Sequence, residues 1–322
     1  MANIDITVAI CTYNGESRVP EVLNALNAQT DIDSISWDVL IIDNASQDNT
    51  GEIVQQYQNS TACPYLLRCI SEPKKGLAFA RQRAIEEAQG GIIAFLDDDN
   101  IPTSSWIKQV ADFASQHPEA GAFGGKVHGQ FETAPPENFE KIATFLALTD
   151  RGEQAHCYRP QKRMLPPGAG LVVRRQAWLD NVPEQTLLKG RINNSFVAGE
   201  DLEVLAHIQK AGWEIWYNPK MLIHHKIPKH RLDKKYLLSI AWGTGLCRHH
   251  IRMARYESWQ KIILTPCHIA NDIFVFLVSV FHFLSSPKKK LLGDFDLIYR
   301  LATVLSPFYF FSIFFVGHKN GD

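Results

Sequence analysis

Short, nearly unbroken apolar runs recur along the first third of the chain, at residues 6–11 (Ile-Thr-Val-Ala-Ile-Cys), 37–42 (Trp-Asp-Val-Leu-Ile-Ile) and 91–96 (Gly-Ile-Ile-Ala-Phe-Leu). Each stops abruptly at polar residues. Runs of this length without polar alternation predict strands covered on both faces. Between them the apolar spacing turns helical, over roughly 18–29 through Val19, Val22, Leu23 and Leu26, and over roughly 76–89 through Leu77, Ala80, Ala84, Ile85 and Ala88. Strand and helix in alternation predict an α/β fold, a mostly parallel sheet flanked by helices. From about residue 120 the chain becomes rich in Gly and Pro (Gly121, Gly124, Gly125, Pro135, Pro136, Pro166, Pro167), which predicts a less regular half with long loops. A helix near 200–211 and a strand near 214–224 follow.

Sheets of this kind bind ligands outside the carboxyl ends of their strands. The residues standing there are Thr12-Tyr13-Asn14, Asp43-Asn44-Ala45-Ser46 and Asp97-Asp98-Asp99-Asn100. Adjacent carboxylates repel, and a hard divalent cation with oxygen ligands compensates them. In an extended segment Asp97 and Asp99 share one side and Asp98 takes the other. Alone, an acidic triplet reads equally well as a solvated helix-capping turn; its position after a buried strand favours the cation. A metal held by one or two carboxylates completes its coordination from substrate phosphates, so the substrate is expected to be phosphorylated.

Three further segments carry candidate chemistry. Gly199-Glu200-Asp201 opens a helical pattern, where carboxylates commonly cap the helix. His224 and His225 close an apolar strand, a place where histidines are more often structural than ligating. Pro166-Pro167-Gly168-Ala169-Gly170 supplies small residues that let backbone approach a ligand closely.

Taken in order, Thr-Val-Ala-Ile-Cys-Thr-Tyr-Asn14, Ile-Ile-Asp43-Asn-Ala-Ser-Gln-Asp48, Gly76-Leu-Ala-Phe-Ala-Arg81, Leu-Asp97-Asp-Asp99 and Gly199-Glu-Asp201-Leu-Glu resemble the family 2 glycosyltransferases of the GT-A fold over about residues 5–228. The resemblance implies an inverting transferase with a nucleotide-diphosphate sugar, usually a UDP-sugar, as donor and Mn2+ or Mg2+ as cofactor. It assigns Thr12 and Tyr13 to the base and ribose pocket, Asp43 to a hydrogen bond with the base and Arg81 to the nucleotide. Asn14 and Asp98 join the nucleotide-binding set, with Gly168 and Gly170 near the donor sugar. Asp97 and Asp99 become the D-x-D pair at the metal. His225, better spaced than His224, becomes an added ligand that suits Mn2+ somewhat better than Mg2+. Asp201 matches the catalytic base, and Glu200 would orient the acceptor. The Gln-x-x-Arg-Trp motif of processive members is not evident after Asp201, where Lys229-His230-Arg231-Leu232 stands, so a single addition is expected.

Composition narrows the setting. The 322 residues carry a net charge of -1, with 45% hydrophobic and 21% charged, so no basic field calls for nucleic acid. Six cysteines without a C-x-x-C pair predict reduced thiols, and no leader-like N-terminal pattern precedes the first strand. The expected division is a catalytic domain over 1–228, with a nucleotide half 1–119 and an acceptor half 120–228, then a helical, membrane-associated region over 229–322. In that region 269–284 is short for a span and interrupted by Asn271, Asp272 and His282, whereas 301–316 is more apolar but contains Pro307. A hairpin of two spans would put Lys288, Lys289 and Lys290 opposite the catalytic domain, against the usual cytoplasmic bias of positive loops. An interfacial helix pair, or a span by the second stretch, keeps them on one cytoplasmic face. A core hairpin or a dimer interface is the alternative, and the oligomeric state stays open.

The expected function is transfer of a sugar to a saccharide or lipid-linked acceptor in surface or exported polysaccharide synthesis. A metal-dependent nucleotidyltransferase competes with it but calls for a glycine-rich basic loop where Thr12-Tyr13-Asn14 stands. A non-catalytic, membrane-bound nucleotide-binding protein has no use for Asp201.

Overall fold

The computed structural model describes residues 4–60, 63–159, 165–190, 197–285 and 290–317, with the side chains of 290 and 311–317 left aside. Two compact units emerge, one made of residues up to 132, 146–189 and 200–227, the other of 133–145, 190–199 and 228–322.

The first unit is built on a nine-stranded sheet. Its elements are β1 (Ile6–Thr12), α1 (Val19–Asn27), β2 (Trp37–Asp43), α2 (Thr50–Gln58), β3 (Leu66–Ser71), α3 (Leu77–Glu87), β4 (Ile92–Asp97), β5 (Asn100–Pro102), α4 (Trp106–Gln116), β6 (Ala120–Phe131), β7 (His156–Cys157), β8 (Val172–Arg174), α5 (Arg175–Asn181), α6 (Glu200–Lys210) and β9 (Glu214–Ile227). The order across the sheet is β3-β2-β1-β4-β8-β6-β9-β5, with β7 beside β9. β3, β2, β1 and β4 run parallel; β8 joins β4 and β6 antiparallel.

The apolar runs are continuous because both faces are covered. Val8, Ile10, Val39, Ile41, Ala94 and Leu96 pack with α1 and α4 on one side, while Ala9, Cys11, Leu40, Ile42, Ile93 and Phe95 pack with α3, α5 and α6 on the other. Register then levels the strand ends, pairing Thr12 with Asp43 and Cys11 with Asp97. The antiparallel pairing of β5 with β9 sets Asn100 opposite His225, which carries Asp99 to the histidine.

The half expected to be loop-rich is ordered differently. Residues 120–131, glycines included, form a 12-residue strand paired to β9, itself extended to Ile227. The glycines there serve contact rather than turning. A Cβ on Gly121 would lie 2.6 Å from Trp213, one on Gly124 2.8 Å from Pro166, and one on Gly125 1.8 Å from the carbonyl oxygen of Met221. Glycine thus marks close packing here, which a reading of glycine as a loop former misses.

In the second unit lie α7 (Lys234–Ala254), α8 (Ser258–Ser285) and α9 (Lys290–Gly317). Gly245 lets α7 approach α9, since a Cβ there would sit 2.6 Å from both the Ala302 side chain and the Tyr299 carbonyl. The polarity of α8 is inverted relative to a soluble helix. Its Asp272 accepts both guanidinium arms of Arg252 on α7, at 2.8 and 2.9 Å, His268 stacks on Tyr256, and Ser279 donates to Asp296 on α9. Facing away are Trp259, Ile262, Ile263, Phe274, Leu277, Phe281 and Leu284, all exposed. With 28 residues and a mean hydropathy of 1.7 over its apolar window, α8 is the one described helix long and apolar enough to cross a bilayer. The sequence pattern starts this apolar stretch only at 269, whereas α8 begins at Ser258. Its polar residues misled: Asp272 is turned inward and paired. Lys288 and Lys289, with the side chain of Lys290, lie outside the described residues.

The glycine contacts make a test. Gly125→Ala should lower unfolding free energy by about 1–3 kcal/mol, because the rigid Met221 backbone cannot give way. Gly51→Ala, in α2 with open space around the new methyl, should raise it by about 0.4–1 kcal/mol. Urea denaturation of both variants checks the pair, and equal midpoints would refute the packing account.

Candidate functional site

The carboxyl ends of β1, β2 and β4 meet the N-terminus of α6 and the end of β9 around one buried cation, Arg81. Its side chain, 4% exposed on α3, stands 3.5 Å from Asp97 Oδ1 and 3.5 Å from Glu200 Oε1, and Nη2 donates to the Gly168 carbonyl at 3.4 Å. Burial pulls the guanidinium pKa down, but Asp97, Glu200 and Asp201 together raise it above the ordinary arginine value. Gly168 is required for this contact: a Cβ there would meet Arg81 Nη2 at 2.5 Å.

The acidic triplet is not an extended segment. Asp97 ends β4, Asp98 and Asp99 turn, and Asn100 begins β5, so the three carboxylates point in three directions. Asp97 faces Arg81. Its pKa is raised, by burial first and by Asp99 and Asp98 after it, against the opposing pull of Arg81 and His225. Asp98 receives Arg18 in a bidentate pair at 2.9 and 2.9 Å and the Thr12 hydroxyl at 2.6 Å. Asp99, 8% exposed, accepts Asn100 Nδ2 at 3.0 Å and faces His225 Nε2 at 3.5 Å.

The histidine geometry bears on a metal. His225 Nδ1 lies 3.0 Å from the Leu146 carbonyl, which can only accept, so this nitrogen carries a proton. In the neutral ring Nε2 is then a lone pair directed at a carboxylate oxygen, and a proton or a metal cation must stand between two such acceptors. Carboxylate oxygen and imidazole nitrogen together suit a divalent transition metal. Among the described residues no group of three or more His, Cys, Asp or Glu side chains is already gathered to hold an ion. A site of one carboxylate and one imidazole, completed by phosphate oxygens, fits that arrangement.

Around this centre the other expected residues divide. Thr12 is buried and tied to Asp98, whereas Tyr13 is 43% exposed, with the Lys75 ammonium 5.0 Å from its ring centroid. Asp43 accepts the Ser46 N–H at 3.0 Å in a turn beyond β2. Asn14, at φ 51°, locks the first two loops, accepting the Gln47 N–H at 2.8 Å while its own N–H reaches Ser46 Oγ at 2.9 Å. Gly170 takes φ +66°, which glycine adopts without strain. Asp201 accepts Gly168 N–H through Oδ2 at 2.6 Å and Leu202 N–H through Oδ1 at 2.9 Å, joining the glycine segment to the first turn of α6. Glu200 is buried beside Arg81. His224 pairs in register with Ile101 and His128, so the two histidines diverge and only His225 is brought to Asp99.

Four contributing residues were not singled out from the sequence. Arg18 neutralises Asp98 across an 80-residue separation. Asn44 grips the loop before α3, donating to the carbonyls of Glu72 at 3.1 Å and Lys74 at 2.7 Å and accepting the Gly76 N–H at 2.8 Å. Glu203 holds the N–H groups of Leu187 at 3.1 Å and Leu188 at 2.9 Å. Lys75 covers Tyr13. Asn44 and Glu203 stand inside the quoted motifs, and their amide and carboxylate chemistry was the available signal; the partners of Arg18 and Lys75 could not be read from spacing. Cys11, next to the centre, is no nucleophile, since burial pushes its thiol up to about 12.

Comparison with known proteins gives the family. Residues 7–177, more than half of the chain, match the family described as Glycosyl transferase family 2. Glycosyltransferase AglE of Haloferax volcanii is 38% identical over 104 residues, 32% of this chain and 33% of that enzyme, so the match spans about a third of the relative. The glucosyl-dolichyl phosphate glucuronosyltransferase of the same organism is 24% identical over 249 residues, 74% of this chain and 75% of that protein. Succinoglycan biosynthesis protein ExoM of Rhizobium meliloti is 22% identical over 244 residues, 75% and 73% of the two chains. Among solved structures, Staphylococcus aureus TarS 1–349 in complex with UDP aligns with a TM-score of 0.53 at 18% identity, covering 94% of this chain and 91% of that one. The mannosyltransferase PcManGT from Pyrobaculum calidifontis, in complex with GDP-Man and Mn2+, aligns with a TM-score of 0.57 at 17% identity, covering 94% and 86%. These likenesses show the GT-A fold, and the family match shows the rest: the chain belongs to glycosyl transferase family 2.

Proposed function

We propose that residues 1–228 catalyse inverting transfer of a sugar from a UDP-sugar to a saccharide or lipid-linked acceptor in surface or exported polysaccharide synthesis, with residues 229–322 holding the enzyme at the cytoplasmic face of a membrane. The observation that carries the reading is the pairing within the acidic turn. Asp97 and Asp98 face permanent cations, Arg81 and Arg18, while Asp99 faces His225, whose charge is not fixed. Asp99 and His225 are accordingly the pair that would hold Mn2+ or Mg2+, with Asp97 beside them. When bound, the ion stabilises negative charge on the departing diphosphate. The named biosynthetic roles of ExoM and of the dolichyl-phosphate enzyme, and the UDP bound to TarS, support the choice of donor and acceptor class.

The chain's own residues supply the remaining steps. Thr12, Tyr13 and Asp43 line the nucleoside end, with Asn14, Asp98, Gly168 and Gly170 shaping the loops around it. Arg81 adds a fixed positive charge, buried where water screens it little. The acceptor hydroxyl oxygen attacks the anomeric carbon as the bond from that carbon to the diphosphate oxygen breaks, and the hydroxyl proton passes to Asp201. Each Asp201 oxygen accepts one backbone N–H, which fixes the carboxylate and leaves a further lone pair for the proton. Glu200, 3.5 Å from the Arg81 guanidinium, positions the acceptor.

Membrane attachment rests on the inverted polarity of α8, whose Asp272 and Ser279 bond to the neighbouring helices and whose exposed large side chains are apolar.

Asp99→Ala should abolish turnover and the Mn2+-dependent part of UDP binding, read by calorimetry with and without chelator; full activity in excess chelator would sink the metal assignment. Asp201→Asn should cut kcat by about 100- to 10,000-fold while UDP affinity stays within a few-fold, because an amide cannot take up the proton. Collapse of UDP affinity at an unchanged rate per bound donor would make Asp201 a binding residue. Full-length protein should float with liposomes, and the triple change Phe274→Glu, Leu277→Glu, Phe281→Glu should release it. A wild-type chain that stays monomeric and soluble without detergent contradicts the attachment.

A further inference from the structure

Three exposed lysines stand on the loops that border the carboxyl-end site. The Lys75 ammonium lies 5.0 Å from the Tyr13 ring centroid, and those of Lys74 and Lys189 lie 5.9 and 5.8 Å from the single ring of Phe79. None of the three is ion-paired among the described residues. Glu72, the nearest acid in sequence, turns Oε1 to the Lys74 backbone N–H at 2.7 Å. The whole chain balances 33 basic against 34 acidic residues, so a local excess of positive charge is not a by-product of a basic protein.

The backbone beneath these lysines is fixed in advance. Asn44 clamps the 72–76 loop through three hydrogen bonds, and Glu203 holds Leu187 and Leu188, setting Lys189 so that its carbonyl accepts the Ala78 N–H at the start of α3. Two ammonium groups around one aromatic ring present N–H donors that an anion bound beside them can take up. In the transferase reading the donor diphosphate would be met inside the site by Arg81 and by a cation held at Asp99 and His225. Charge on the rim is therefore surplus to the diphosphate.

We propose that Lys74, Lys75 and Lys189 form an anion-reading rim that binds a further carboxylate or phosphate carried by one of the substrates. The neighbouring Tyr13 and Phe79 rings offer apolar surface on which the C–H face of a sugar can rest beside its charged substituent. This inference rests on the transferase reading, and its test separates the two.

Two substrate pairs differ only in the anion: UDP-glucose against UDP-glucuronate, and octyl glucoside against its 6-phosphate. The first is titrated by calorimetry with Mn2+, the second by NMR with UDP present. Wild-type protein should prefer the charged member of at least one pair, the first locating the anion on the donor and the second on the acceptor. Changing Lys74 and Lys189 to Gln should weaken that member by about tenfold and leave its neutral partner and UDP itself within about twofold, with Arg at the same positions restoring the preference. Equal binding of both members of both pairs by the wild type, or equal weakening of charged and neutral ligands by the Gln variant, overturns the rim. Failure of the wild type to bind UDP at all would instead overturn the transferase reading beneath it.

Discussion

Repulsion among Asp97, Asp98 and Asp99 is the constraint around which the site is built. Adjacent carboxylates in one turn need separate compensation, and each takes it from a different element: Arg81 of α3, Arg18 at the start of α1, and His225 of β9. Arg81 is the most demanding of the three because it is itself buried. Removing one partner from such a cluster leaves an uncompensated charge, which typically costs about 3–5 kcal/mol, so the helix, the strand end and the Gly168 loop are held together by electrostatics as well as by packing.

A second buried pair shows that pairing alone does not make a site. At the amino-terminal end of β2, Asp38 is fully buried, accepts the Thr7 hydroxyl at 2.6 Å and meets Arg68 at 2.8 Å, while Arg68 also donates to the Glu87 carbonyl. Every group there is satisfied by the fold itself, and it joins β1, β2, β3 and the end of α3. Near the carboxyl ends, by contrast, one Arg81 nitrogen is buried without a hydrogen bond at 3.5 Å from Glu200, and Asp99 faces an imidazole whose charge is not fixed. That incompleteness is a chemical difference between two ion-pair clusters of similar composition.

Much of this was legible in the sequence, and the residues explain why the remainder was not. Strands β1, β2 and β4 announce themselves because they are covered on both faces, and the polar residues after them locate the site. β3 hides because Arg68 interrupts its apolar run, although that arginine turns to Asp38 of the next strand. β6 hides because close packing against Trp213, Pro166 and Met221 demands glycine, which in sequence looks like loop. The separate fates of Asp97, Asp98 and Asp99 hide because they depend on Arg18, Arg81 and His225, each on a different element, and no local pattern records such pairings.

The two units carry opposite polarity patterns. Around the sheet, apolar side chains turn inward and charges outward; along α8, Asp272 is the buried residue and Phe274, Phe281 and Leu284 are exposed. In water such a helix would gain by turning over, since each fully exposed Leu or Phe forgoes roughly 1.5–3 kcal/mol of burial. It does not turn over because Asp272 is committed to Arg252, and moving that carboxylate outward would strand a guanidinium inside the bundle. The polar bonds of α8 thus fix which face looks out. Sequence hydropathy alone reads Asp272 as a break in an apolar stretch; its partner reveals it as the residue that orients the helix.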